Sequence, residues 1–71
     1  MVLIEPGTVL RLAERDYLYG AGDVRIRVEM PVPVHPRLEW VTLHGTRLLA
    51  DGRETGLVTV LARVAAIQDQ H

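Results

Sequence analysis

The chain has 71 residues, 48% of them apolar, and a formal net charge of −1; it is long enough for one domain and too apolar for a disordered tail. Cys, Ser, Lys, Asn and Phe are all absent, and all eight basic residues are Arg. Disulfides, thiolate zinc sites, serine nucleophiles, Schiff-base lysines and the P-loop lysine are thereby excluded.

Lys, Asn and Phe have AT-rich codons, so their joint absence points to a GC-rich, bacterial genome. A domain of this size buries roughly 60% of its unfolded surface. Without disulfide or metal staples it stands on packing alone or leans on a partner. The balanced charge offers no basic stripe for nucleic acid. No apolar run approaches the roughly 18 residues that span a bilayer. The first four residues lack the charged and long apolar regions of a signal peptide. The expected compartment is the cytoplasm.

In chain order, residues 2–4 form a short apolar run that Pro6-Gly7 ends as a turn. Residues 8–14 follow, with Leu10 and Leu12 on one face and Arg11 on the other. Residues 15–22 read as a loop, with Gly20 and Gly22 free to take unusual backbone angles. Residues 23–30 are the clearest element: Val24, Ile26, Val28 and Met30 alternate with Asp23, Arg25, Arg27 and Glu29. That period of two marks a half-buried strand.

Pro31, Pro33 and Pro36 then predict an extended, polyproline-like linker. Residues 38–49 are a second long β-prone run. Asp51-Gly52 favours a tight type I′ hairpin turn. Residues 56–67 return. Their second half contains helix formers, but the β-branched Val58, Thr59, Val60 and Val64 favour strand. The polar tail, 68–71, frays.

Five strands and no helix predict an all-β domain over residues 1–71: a five-stranded antiparallel SH3-like small barrel or rolled sheet. An OB-fold fits less well, because the Pro-rich linker leaves no room for its helix.

Two registers can be worked out. If Asp51 and Gly52 are the central turn residues, Trp40 faces Arg63, Thr42 faces Leu61, His44 faces Thr59 and Thr46 faces Leu57. Leu43 with Val60 and Val41 with Ala62 then point to the core. A guanidinium beside the Trp40 indole adds roughly 0.5–1 kcal/mol at an exposed site. For the first hairpin, opposite charges across a strand pair help and like charges hurt. That favours Arg11 opposite Glu29 and Leu12 opposite Val28.

Tyr17, Tyr19 and Trp40 are the only aromatic residues. The tyrosines lie in the loop after the second strand, beside Glu14 and Asp16, and Trp40 opens a later strand. This order resembles the groove aromatics of SH3 domains, where tyrosines of the first long loop and a tryptophan line a shallow peptide site. The resemblance implies a protein-binding groove and covers only these positions. A second tryptophan and a later proline–tyrosine pair are absent. A plainer role for the same rings is to pin the loop to the sheet.

Leu38, Trp40, Leu57 and Leu61, with Arg63, fall on the off-core face of the second hairpin. A face so apolar needs a cover, either another part of the chain or another protein. Arg11, Arg25 and Arg27 point outward together, but Glu14, Asp23 and Glu29 neutralise them, so they read as a solvated face. His35, His44 and His71 lack metal-ligand spacing. Gly20-Ala21-Gly22 lacks the rest of a dinucleotide motif, and Pro33-Val34-His35-Pro36 reads as a connector.

The expected function is that of a non-catalytic interaction module. It would bind another protein or itself through Tyr17, Tyr19, Leu38, Trp40, Leu57, Leu61 and Arg63. No catalytic residue, cofactor, metal or small-molecule substrate is expected. The alternative is a nucleic-acid-binding small barrel using the outward arginines and stacked rings.

Overall fold

The structure, a computed structural model, describes residues 2–18 and 22–70. Strict alternation makes β3 (Val24–Val28) the simplest element, with its three apolar residues buried and Arg25 and Arg27 facing outward. It lies between β2 (Val9–Leu12) and β5 (Trp40–Leu48), and β6 (Glu54–Arg63) follows β5. All pair antiparallel, in the order β2-β3-β5-β6. A second, two-stranded sheet joins β1 (Val2–Ile4) to β4 (Val32–Val34).

The two sheets share one register. Paired residue numbers add to 36 for Ile4 and Val32, and again for Leu10 and Ile26. They are the two halves of a single β-ribbon, broken where residues 5–8 face 28–31. Pro6 and Pro31 sit in the break, where no ladder bond is lost, and Gly7 turns the chain at a φ of 92°. The Gly7 N–H donates to the Val28 carbonyl at 2.7 Å, and the Val28 N–H to the Thr8 carbonyl at 2.8 Å. The kink swings the outer half over the core, so Ile4, Val32 and Val34 are buried.

This corrects two expectations. The Pro-rich segment is not an unpaired linker: residues 32–34 are an edge strand, which is where a sheet tolerates proline. Arg11 faces Arg25, not Glu29, and Leu12 faces Val24. The like-charge pair costs at most about 1 kcal/mol. The charge-matched register would set Ile4 against Pro36 and Val34 against Pro6. It would thereby lose side chains whose burial contributes about 1.5–3 kcal/mol each. Burial outweighs the charge term.

In the second hairpin every expected pair from Trp40↔Arg63 to Thr46↔Leu57 is present. The turn differs. The Gly52 N–H donates to the Leu49 carbonyl at 2.9 Å, and the Leu49 N–H to the Arg53 carbonyl at 2.8 Å. The loop is therefore three residues, 50–52, with Gly52 left-handed at φ 89°. A bulge at Thr55 then shifts the register back by one between Arg47 and Leu48. Two one-residue differences cancel, which is why the strand bodies pair as expected. Where β3 meets β5, a Cβ on Gly45 would run into the Arg27 carbonyl and approach Ile26 Cγ2 to 2.6 Å. Only glycine permits that approach.

Strand ends at Arg63, and Val64–Gln68 is a short helix, α1. A continued strand would have left Ile67 on the outer face. Helical spacing brings Val64 and Ile67 to the core together, and both are almost fully buried. The described residues thus form six strands and one α-helix, mostly β, and the sheets do not close into a barrel. A 3-10 turn at Glu14–Asp16 carries the chain from β2 toward β6. There it makes one bridge, Tyr17 with Ala62, instead of a ladder.

Candidate functional site

The outer face of β5 and β6 follows from the register. Trp40 is half-buried, and the Arg63 guanidinium carbon lies 4.7 Å from its ring centroid. Arg63 also reaches Glu39 at 3.4 Å and Asp16 at 3.8 Å. These contacts hold the guanidinium over the indole. Leu61 adjoins them, and Leu57, two rows along, is 82% exposed. Between the two leucines lie His44 and Thr59, joined by a 3.1 Å hydrogen bond. Leu38, 52% exposed, sits in the turn before β5, where its N–H donates to the His35 carbonyl.

Trp40, Leu61 and Arg63 therefore form one group, with Leu57 and Leu38 at its margins. Tyr17 is not on this surface. It is buried among the core residues, and its hydroxyl donates to the Gly22 carbonyl at 2.6 Å. It pins the loop. Tyr19 lies outside the described residues, as do Gly20, Ala21 and His71.

The outward arginines separate into two kinds. Arg27 is tied to Glu54 and, at 3.0 Å, to Glu29. Those carboxylates, Glu54 first, raise its already high pKa. Arg11 and Arg25 make no ion pair among the described residues. Both border an open cleft of about 570 Å³ beside α1, together with Asp16, Asp23, Asp69 and Gln70. Two cations against three carboxylates favour neither an anion nor a cation. His35 accepts the Arg37 N–H on Nδ1. Among the described residues no three His, Asp or Glu side chains converge as metal ligands, and no helix is long and apolar enough to cross a membrane.

Sequence reasoning missed the free edge of β6. In the strand order β6 is terminal. Among the described residues only its far end is occupied, where the Leu18 N–H donates to the Leu61 carbonyl at 3.0 Å. The one signal in the sequence was the run 55–62, which carries no charge and no proline. No protein-family model, curated protein or solved structure matches the chain.

Proposed function

We propose that the chain is a non-catalytic protein-interaction module, an adaptor or accessory subunit that docks through the outer face of β5 and β6. One observation carries the reading. Leu57 and Leu61 are exposed beside a Trp40–Arg63 stack, while the apolar residues of β3 and of the opposite face supply the core. Tryptophan and arginine are the residues that most often dominate binding energy at interfaces. Here they are held in place before any partner arrives, which lowers the ordering cost of association. In this reading the curled sheet is an SH3-like scaffold that presents a surface rather than a groove, because Tyr17 belongs to the core.

The test is capture from a lysate of the source cells, with the wild-type chain beside Trp40→Ala and Leu61→Glu. Variants are first matched for circular dichroism and melting. A defined species, foreign or a second copy, retained by the wild type and lost by both variants supports the reading. Identical capture by all three sinks it.

A further inference from the structure

We propose that β6 pairs edge to edge with β6 of a second copy, antiparallel about a two-fold axis at Leu57, merging two four-stranded sheets into one. This rests on the interaction-module reading and names the partner. The Val64 N–H donates to Glu39 on the β5 side, while the Leu61 carbonyl faces away from β5 to meet Leu18. Backbone direction alternates along a strand. The N–H and C=O groups of Leu57 and Thr59 therefore point outward, and the alternation ends at the bulge residue Thr55.

Monomeric proteins blunt such edges with charge, proline, bulges or a cover. At the opposite edge of this sheet a cover is present. The Gln70 side-chain amide accepts the Arg11 N–H at 2.7 Å and donates back to the Arg11 carbonyl. Along residues 55–59 there is no charge and no proline, and the bulge at Thr55 touches only one end.

The sequence of that edge argues for a second copy. Thr55-Gly56-Leu57-Val58-Thr59 is symmetric in its alternate residues, Thr, Leu, Thr, with Leu57 at the centre. An antiparallel pair centred there sets Leu57 against Leu57, where each outward N–H meets the other copy's carbonyl, and Thr55 against Thr59. Leucine on leucine and threonine on threonine are favourable cross-strand pairs. The axis buries the most exposed large apolar side chain of the described residues. It also keeps the pairing clear of Leu61, where Leu18 already sits.

Sedimentation across micromolar to millimolar concentration is the experiment. The wild-type mass should double with concentration, and Leu57→Glu and Leu57→Arg alone should each weaken the dimer at least about tenfold by like-charge opposition. Mixing the two variants should restore it, because opposite charges then meet on the axis. A wild type that stays monomeric throughout overturns the pairing; if Trp40→Ala still abolishes capture, the interaction reading survives. A dimer indifferent to both Leu57 variants but lost in Trp40→Ala also overturns it, and moves the contact to the outer face. Failure of both assays removes both.

Discussion

Thr46 is the only buried polar side chain among the described residues. Its register places it on the outer face, opposite Leu57. It is covered because Glu29, Arg27 and Glu54 form a chain of ion pairs across it. Its hydroxyl donates to Glu29 at 2.9 Å. That bond first, and Arg27 second, hold the Glu29 carboxyl below its ordinary value of 4.5. A carboxyl depressed by folding stabilises the folded state above its unfolded pKa, and the benefit is lost as pH falls through the folded one. Thr46→Val keeps the branched shape and removes the donor. The Glu29 carboxyl should then titrate closer to its ordinary value by NMR, and less stability should be lost between neutral pH and the acid side of that value. An unchanged titration would mean Arg27 alone sets this carboxyl.

The kinked ribbon is where one element decides another's fate. Ile4 is fully buried, while its neighbour Leu3 is 51% exposed. If the β1–β4 half is part of the core, Ile4→Ala should cost about 2–5 kcal/mol in urea unfolding. Leu3→Ala should stay within about 0.5 kcal/mol. A cost near zero at Ile4 would mean a loosely attached flap. The same ribbon shows what could be read from sequence. The alternation of β3 was legible because it needs no neighbour. The even parity of the first hairpin was legible for the same reason. Its register was not, since it depends on proline placement and burial in a half of the ribbon that read as a linker. The helix at Val64 was hidden by β-branched residues and by its length of five residues, too short for a periodic signal. At the site, the outward face of Trp40, Leu57, Leu61 and Arg63 follows from the alternation within β5 and β6 and the hairpin that joins them. The burial of Tyr17 and the freedom of the β6 edge depend on strand order, which no local pattern encodes.

On the scale of the whole molecule, the two ends of one sheet are treated differently, and that difference is itself testable. The β2 edge is covered by a side chain, Gln70, delivered by α1 after the chain has crossed from β6 back to β2. A carboxamide carries both donor and acceptor groups, so it satisfies an edge residue as a neighbouring strand would. Gln70→Ala should free the N–H and carbonyl of Arg11. At an exposed site the loss of these two hydrogen bonds, and of a third to the Ala66 carbonyl, is worth about 1 kcal/mol. The larger effect should be on association. Hydrogen exchange at the Arg11 amide should accelerate, while that of Leu43, held in the β5–β6 ladder, stays unchanged. With Leu57→Glu in the same chain, β6 can no longer pair with itself. Concentration-dependent association of that double variant would then have to come from the opened β2 edge. If it stays monomeric while Arg11 exchanges freely, Gln70 serves only to seat α1, and the outward guanidiniums of Arg11 and Arg25 are enough to keep a second strand away.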